Sequence, residues 1–499
     1  MELIGAIDQG TSSTRLIIFK AGTCEVLVEH QLEVQQHFPN EGWVEQDPLE
    51  LLKSVHLCIQ GVVDKLQAKN IPVSSIKGIG LTNQRETTIV WNRLTGIPVH
   101  PAMVWSDARN SLIVKNLCSE FGQDHLRTQC GLPIATYFSA TKLLWLWDHI
   151  PEVKQLAEEG NLLFGTVDTW ILWNLTGGTQ NGLHLTDVTN ASRTMLMSLK
   201  TLSWDPSLLK FFNLPLHILP TIKASSDDFG CIATGPMRGI KISGVVGDQQ
   251  AALLGQGCTR IGEAKSTYGT GCFMLYNTGD SIVESKHGLL TTVAYQQAGR
   301  SATYALEGSV AVAGSSVRWL RDNLGLIKDS SEISSLAEQV EKTDGVYFVP
   351  AFSGLFAPHW KSDARGTLCG LTSHSTKHHI CRAVLEATCF QVKDIFEAMK
   401  MDSKSSPSSI LVDGGMTASQ ILLQLQSNIL GIDVQKPSFS EVTALGAAVA
   451  AGVSLGLWQL GTKISDLQTY SPEIDNIERD RKMKRWRMAL ERSLGWELE

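Results

Sequence analysis

The chain has 499 residues, of which 43% are hydrophobic and 19% charged; this balance is typical of a globular protein, and the length predicts two or three domains. The formal net charge of −7 does not indicate the excess of positive charge that binding a nucleic acid requires, so we expect no nucleic acid partner. The ten cysteines are scattered without a C-x-x-C pair, which argues against a zinc site or a disulfide framework and favours a reducing compartment.

The first predicted elements form a meander of strands. Residues 3–6 are apolar, and residues 15–19 and 26–28 have the pattern of the next two strands. Asp47 followed by Pro48 predicts a helix start, because an acidic cap and a proline in the first turn both favour one. Residues 76–81 predict a further strand, which ends at the polar sequence Thr-Asn-Gln-Arg-Glu of residues 82–86.

Residues 7–15, with the sequence Ile-Asp-Gln-Gly-Thr-Ser-Ser-Thr-Arg, connect the first two strands. Gly10 lets the chain reverse, and the following amides and hydroxyls can surround phosphate oxygens. Asp8 lies where a carboxylate can hold Mg²⁺ through water. Taken alone, the segment also fits an ordinary β-turn rich in Ser and Thr.

A second set of such elements follows past the middle of the chain. Residues 244–247 predict a strand leading into Asp248, residues 267–271 form a glycine-threonine turn, and residues 410–412 predict a strand ending at Asp413. Alternation of strands and helices predicts an α/β protein. The repeated acid-plus-glycine strand ends suggest a nucleotide held in a cleft between two similar halves.

No targeting or membrane segment is predicted. The N-terminus lacks a basic segment followed by an apolar run, so we expect no signal peptide and a cytoplasmic location. The uncharged window at residues 442–462 is built largely of Ala, Gly and Ser, which supply little transfer free energy to lipid, so it predicts a close-packed internal helix.

At this point the sequence resembles the glycerol kinases of the FGGY family of carbohydrate kinases, closest in appearance to the animal-type members. The resemblance covers nearly the whole chain and rests on motifs at residues 8–15, 42–48, 83–87, 137–149, 187–193, 247–250, 267–271, 349–354, 366–386, 413–415 and 443–446. It implies a two-domain actin-like ATPase (ribonuclease H-like) fold with the active site in the interdomain cleft. By analogy we place an N-terminal domain for glycerol and phosphate binding at residues 1–256 and a C-terminal nucleotide-binding domain at residues 257–499.

Asp248 is the predicted catalytic base. Phosphoryl transfer needs a carboxylate that accepts the proton of the alcohol, and Asp248 follows a strand end between Gly247 and two glutamines. The resemblance assigns the matching aspartate this role. The alternative is an aspartate that only caps a helix.

The resemblance also assigns the substrate site. Glycerol offers three hydroxyls that each need a partner, and Arg85 and Glu86 can both face it only if they lie beyond the end of their strand. An Arg-Glu pair is otherwise commonly a surface ion pair. The residues that match the family's glycerol site are Arg85, Glu86, Tyr137, Asp248 and Gln249, with Trp105 and Phe273 as walls.

For the nucleotide, the family pattern implies ATP with Mg²⁺. The matching phosphate and nucleotide positions are Thr11, Ser12, Ser13, Arg15, Thr270, Gly271, Gly314, Arg318, Gly415 and Ser419. Mg²⁺ is expected with Asp8 and Asp248 in its outer shell. A homodimer or homotetramer is the usual assembly in the family.

One departure leaves other readings open. Ser419 replaces a typical asparagine, and a hydroxyl lacks the paired donor and acceptor of an amide, so ATP affinity is expected to fall. The alternatives to glycerol phosphorylation are therefore a kinase for another polyol or sugar, and a kinase-like interaction protein with weakened ATP binding.

Overall fold

The computed structural model describes residues 1–464 and 466–496. The first half of the chain contains β1 Leu3–Gln9, β2 Ser13–Lys20, β3 Val26–Glu33, β4 Glu45–Gln46, α1 Pro48–Ala68, β5 Ile76–Asn83, β6 Ile89–Asn92, β7 Ala102–Met103, α2 Ser111–Phe121, α3 Arg127–Cys130, α4 Ser139–His149, α5 Pro151–Glu158, β8 Leu162–Gly165, α6 Val167–Leu175, β9 Leu185–Asp187, α7 Val188–Ala191, β10 Met197–Ser198, β11 Ser203–Trp204, α8 Pro206–Phe211, β12 Thr221–Lys223, β13 Ile242–Gly247 and α9 Asp248–Gly255.

The second half contains β14 Ala264–Tyr268, β15 Cys272–Gly279, β16 Leu290–Tyr295, β17 Thr303–Val310, α10 Gly314–Asp322, α11 Glu332–Ala337, β18 Tyr347–Val349, β19 Thr367–Cys369, α12 Lys377–Ser403, β20 Ser409–Asp413, α13 Gln420–Leu430, β21 Asp433–Pro437, α14 Val442–Ser454, β22 Leu467–Tyr470 and α15 Asn476–Arg492. Among the described residues, no helix is both long enough and apolar enough to cross a lipid bilayer.

Two sheets with the same core topology organise the chain. The first has the order β13-β5-β1-β2-β3, in which β1, β2 and β3 are antiparallel and β5 and β13 run parallel to β1. The second has the order β16-β17-β15-β14-β20-β21-β22, and its β17-β15-β14-β20-β21 part repeats that pattern. The duplication bears out the expected two similar halves. We call them the N-terminal and C-terminal units.

The predicted strands and the first helix are confirmed. Residues 15–19, 26–28, 76–81, 244–247 and 410–412 all lie in strands. Pro48 begins α1, and the Asp47 carboxylate accepts the backbone N–H of Leu49 at 2.8 Å. β1 continues one residue past Asp8, which pairs in register with Arg15. Asp8 therefore lies inside the strand, one residue before its end, rather than in the turn.

Helix α14 is the predicted internal helix, and it joins the two units. Although it comes late in the chain, it packs against β1, β5, β13 and α9. The helix lies close to its neighbours because glycines lie where the backbones cross. A Cβ atom on Gly446 would lie 1.8 Å from the carbonyl oxygen of Ala251, and a Cβ atom on Gly80 would lie 2.0 Å from the carbonyl oxygen of Ala447. Backbones can approach this closely only where no side chain intervenes.

We expect Gly446→Ala to lower the melting temperature, because α9 and α14 must separate to admit the methyl group. Overpacking of this kind costs about 1–3 kcal/mol. Thermal unfolding followed by circular dichroism measures the effect. Ser454→Ala, at the exposed end of the same helix, is the matched control and should leave the midpoint unchanged; equal midpoints for Gly446→Ala and wild type would contradict the packing argument.

Candidate active site

The ends of several of these elements meet in a cavity of about 220 Å³ between the two units. Every residue predicted to bind glycerol lines this cavity, together with the two predicted phosphate turns. Its lining is Gly10, Thr11, Ser12, Ser13, Arg85, Glu86, Trp105, Tyr137, Asp248, Gln249, Thr267, Gly269, Thr270, Gly271 and Phe273.

Arg85 and Glu86 lie just beyond the last residue of β5, as expected. Glu86 has a φ of +58°, a left-handed conformation that is uncommon outside glycine. This turn directs two successive side chains into one cavity. Both residues are buried, at 2% and 1% exposure, so the surface ion pair considered above is wrong.

Asp248 is the first residue of α9, directly after β13. The N-cap of this helix is Gly247, without a side-chain hydrogen bond, so Asp248 lies one residue inside the helix rather than at the cap position. Its Oδ1 accepts the N–H of Gln249 at 2.7 Å and lies 3.2 Å from Arg85 Nε. Burial raises the pKa of Asp248, while Arg85 and Lys265 lower it. The arrangement leaves a carboxylate at the cavity whose proton affinity exceeds that of a surface aspartate.

Three aromatic rings form the apolar wall of the cavity. The ring of Trp105 meets those of Tyr137 and Phe273 edge to face, each at a centroid distance of 5.8 Å. Trp105 Nε1 donates to Thr11 Oγ1 at 3.0 Å. This bond ties the aromatic wall to the first glycine-hydroxyl turn.

Two hairpin turns face the cavity, one from each sheet. In the turn between β1 and β2, the N–H of Gly10 donates to the Ser13 carbonyl at 2.9 Å. In the turn between β14 and β15, the N–H of Gly269 donates to the Gly271 carbonyl at 2.8 Å. Thr11, Ser12 and Thr270 therefore stand at the tips of tight turns, a geometry suited to surrounding an anion with amides and hydroxyls.

A second cavity, of about 450 Å³, holds other predicted residues. Asp8, Arg15 and Gly415 line it with Asp413, and it shares Thr267 with the first cavity. The pKa of Asp8 is raised to about 7, because burial raises it more than Arg15 lowers it; Asp248 raises it further. Arg15 is itself paired with Glu441 and donates to Gln31 at 2.9 Å. Asp8 and Asp248 are thus close enough to interact, although they line different cavities.

The remaining predicted nucleotide residues line neither cavity. Gly314 begins α10 and donates its N–H to the Gly269 carbonyl at 3.0 Å, and Arg318 Nη2 donates to Thr270 Oγ1 at 3.3 Å. The two residues therefore adjoin the second turn. Ser419 caps α13, accepting from the N–H of Leu422 and from the Ser334 hydroxyl at 2.7 Å.

Sequence reasoning missed three buried charged residues behind the cavity. Glu307 on β17 pairs with Arg85, Arg193 pairs with Glu86, and Lys265 Nζ donates to Gln249 Oε1 at 2.5 Å. Burial lowers the pKa of Lys265, although Asp413, Glu307 and Asp248 raise it. A signal was present for Glu307: it is the one charged residue in the strand sequence of residues 303–310.

A fourth missed residue, Lys142, lies behind Tyr137. Its Nζ donates to the carbonyl of Thr136 at 2.9 Å and to that of Tyr137 at 2.5 Å, and the side chain has no exposed surface. Burial lowers the pKa of Lys142 to about 7, partly offset by Glu86 and Asp107. The amine therefore holds the short loop that carries Tyr137.

We expect Lys142→Met to raise the glycerol KM by about tenfold, because the loop carbonyls lose their donor and Tyr137 shifts. Steady-state kinetics with varied glycerol measure this. Lys393→Met is the matched control, since Lys393 is also buried and donates to a backbone carbonyl, that of Leu430. It should leave the KM unchanged; a similar rise in both variants would contradict a local role for Lys142.

A separate group of potential metal ligands, Asp344, His374 and His379, lies on the C-terminal unit with its donor atoms within 4.8 Å of one another. His379 Nδ1 accepts the backbone N–H of Thr376 at 3.1 Å, so the ring proton is on Nε2, which faces Asp344 Oδ2 at 3.3 Å. A protonated nitrogen is not a metal ligand. The three side chains therefore meet at Asp344 Oδ2, which also lies 3.7 Å from His374 Nε2.

Comparison with known proteins agrees with the resemblance found in the sequence. The models of the N-terminal and C-terminal domains of the FGGY family of carbohydrate kinases match residues 3–255 and 264–455. A glycerol kinase of Arabidopsis thaliana is 51% identical, with 98% of this chain and 97% of the relative covered. A glycerol kinase of Brucella anthropi is 49% identical, with 99% of both covered.

Solved structures agree with the fold. The crystal structure of Plasmodium falciparum glycerol kinase with ADP superposes with a TM-score of 0.88 at 38% identity, covering 99% of this chain and 98% of that one. A ligand-bound xylulose kinase from Lactobacillus acidophilus superposes with a TM-score of 0.83 at 22% identity, covering 98% and 97%. These likenesses confirm the predicted two-domain α/β fold.

Proposed function

Because this chain belongs to the FGGY family of carbohydrate kinases, we propose that it transfers the γ-phosphoryl group of ATP to a terminal hydroxyl of glycerol. The products are sn-glycerol 3-phosphate and ADP. The observation that carries the proposal is the small cavity in which Asp248, the Arg85–Glu86 pair and three aromatic rings meet two glycine-hydroxyl turns. The near-complete coverage of the glycerol kinases at about half identity supports the same substrate.

The cavity matches glycerol in polarity. Arg85 and Glu86 offer donors and acceptors for hydroxyls, and Gln249 adds an amide. Trp105, Tyr137 and Phe273 cover the carbon side. A pentulose or gluconate has more hydroxyls, each of which needs a partner when it is buried, so Arg85, Glu86 and Gln249 suit the smaller glycerol better.

The proposed transfer uses Asp248 as the base. The terminal oxygen of glycerol forms a bond to the γ-phosphorus while the bond from that phosphorus to the β,γ-bridging oxygen breaks, and the hydroxyl proton passes to Asp248 Oδ. Arg85 orients the carboxylate through Nε. The turns at residues 10–13 and 269–271 hold the phosphate oxygens from opposite sides.

The donor set fits a magnesium ion. Asp8 is a half-buried carboxylate whose charge is disfavoured by its surroundings, so a cation beside it offsets that cost. We propose that Asp8 and Asp248 hold Mg²⁺ through water, with nucleotide contacts from Thr11, Ser12, Ser13, Arg15, Thr270, Gly271, Gly314, Arg318, Gly415 and Ser419. When bound, the ion neutralises charge on the transferring phosphate.

We further propose the domain division at residue 256, in line with the end of α9 at Gly255 and the start of β14 at Ala264.

A cytoplasmic location is supported by the cysteines, all of which are free thiols. A homodimer or homotetramer is the proposed assembly, and light scattering after size-exclusion chromatography tests it.

A coupled assay of ADP release tests the function. The purified chain is given ATP and Mg²⁺ with glycerol, xylulose or gluconate in turn. We expect ADP release that depends on glycerol. Preference for xylulose or gluconate would assign the chain to another sugar, and no release with any acceptor would favour the interaction protein with weakened ATP binding.

A further inference from the structure

Glu307 belongs to one unit but makes its strongest contacts in the other. It lies in the middle of β17, opposite Leu275 of β15 and Leu290 of β16. Its two carboxylate oxygens accept from Nη1 and Nη2 of Arg85, both at 2.7 Å. The sheet of the C-terminal unit thereby holds an arginine that follows the sheet of the N-terminal unit.

The contact belongs to a cluster of four buried charges. Arg193 Nε donates to Glu86 Oε1 at 2.6 Å, and Arg193 Nη2 lies 3.4 Å from Glu307 Oε1. Two arginines are thus balanced by two glutamates, each at most 2% exposed. A buried charge without such a partner is strongly unfavourable, so each member depends on the others.

Glu307 carries a negative charge throughout the working pH range. Burial raises the pKa of this carboxyl, but Arg193 and Arg85 lower it to about 2. A carboxylate paired in parallel with both terminal nitrogens of a guanidinium fixes the plane of that group. A protonated or amide side chain at this position cannot do so.

The fixed plane decides which part of Arg85 serves the cavity. Glu307 occupies Nη1 and Nη2, and Gln250 Oε1 accepts from Nη1 at 3.0 Å. The Nε edge consequently faces Asp248 at 3.2 Å and Glu86 at 4.0 Å. Without Glu307, Arg85 is free to rotate toward the remaining carboxylates.

We propose that Glu307 is a positioning residue for acceptor recognition: it orients Arg85 across the boundary between the units, so that the polar half of the acceptor site is complete only when the C-terminal unit is in place. This inference rests on the proposed function, since glycerol is the acceptor used to test it. Glu307 acts through Arg85 and does not itself line the cavity.

A double-mutant cycle tests the proposal. Glu307→Gln, Arg85→Ala and the double variant are compared with wild type for kcat, glycerol KM and ATP KM. We expect Glu307→Gln to raise the glycerol KM by about 10- to 100-fold with the ATP KM unchanged. In the Arg85→Ala background the same substitution should change the glycerol KM by less than about twofold, because its target is gone.

Glu386→Gln is the matched control. Glu386 is equally buried but pairs with Lys482 on the outer side of the C-terminal unit, so its substitution should leave the glycerol KM unchanged. If Glu307→Gln does not fold, Glu307→Asp replaces it in the cycle; it keeps the charge but is too short to reach both nitrogens, and we expect a smaller rise that also vanishes with Arg85→Ala.

The proposal would be overturned if the two substitutions raised the glycerol KM independently, so that their fold-changes multiply in the double variant. A loss of kcat with the glycerol KM unchanged would also overturn it. Those outcomes differ from failure of the proposed function, in which the wild-type chain itself does not phosphorylate glycerol. In that case binding of glycerol to wild type and Glu307→Gln, followed by tryptophan fluorescence, still compares the acceptor sites; equal affinities would overturn the role of Glu307.

Discussion

Asp248→Asn is expected to lower kcat for glycerol phosphorylation by about 10²–10⁴-fold, the usual contribution of a general base. Asparagine has the same shape and can still accept the Gln249 N–H, but its amide cannot take up the hydroxyl proton. Steady-state kinetics by the coupled assay measure the loss. The fold should remain, because the side chain of Asp248 is one-quarter exposed.

Asp402→Asn is the control for this prediction. Asp402 is a buried carboxylate that accepts from Ser285 and contacts His287, on the C-terminal unit. It should retain normal turnover. If Asp248→Asn kept a kcat within about threefold of wild type, the assignment of the base would be wrong.

Arg85→Ala is expected to raise the glycerol KM by about 10²-fold or more. Hydrogen bonds to charged groups contribute about 1.5–3 kcal/mol each, and Arg85 Nε lies 3.2 Å from Asp248 Oδ1 and 4.0 Å from Glu86 Oε1. The substitution also leaves Glu307 with Arg193 as its nearest cation, so the free energy of unfolding should fall. Kinetics with varied glycerol and a thermal melt measure the two effects.

The control for Arg85→Ala is Arg127→Ala. Arg127 is buried, pairs with Asp124 and donates to the Leu289 carbonyl, so its loss should lower the melting temperature but leave the glycerol KM unaltered. An unchanged KM in Arg85→Ala would refute the role given to this residue.

Short patterns were enough to predict the local structure. Asp47 and Pro48 predicted the start of α1, and the glycine-hydroxyl segment at residues 7–15 predicted the turn between β1 and β2, because caps and tight turns depend on a few adjacent residues. The uncharged composition of residues 442–462 likewise predicted the internal helix α14. The same patterns could not show which sheet α14 packs on, since small residues suit any close crossing.

The sequence by itself determined the α/β architecture, the two glycine-hydroxyl turns and the position of Arg85 and Glu86 beyond a strand end. Only the tertiary structure decided that Asp8 and Asp248 line different cavities, that Arg15 pairs with Glu441, and that Glu307 holds Arg85. The physical reason is separation along the chain: Arg85 and Glu307 are 222 residues apart, and Arg15 and Glu441 are 426 apart. Turn chemistry is local, whereas the partner of a buried charge is set by which strands the fold brings together.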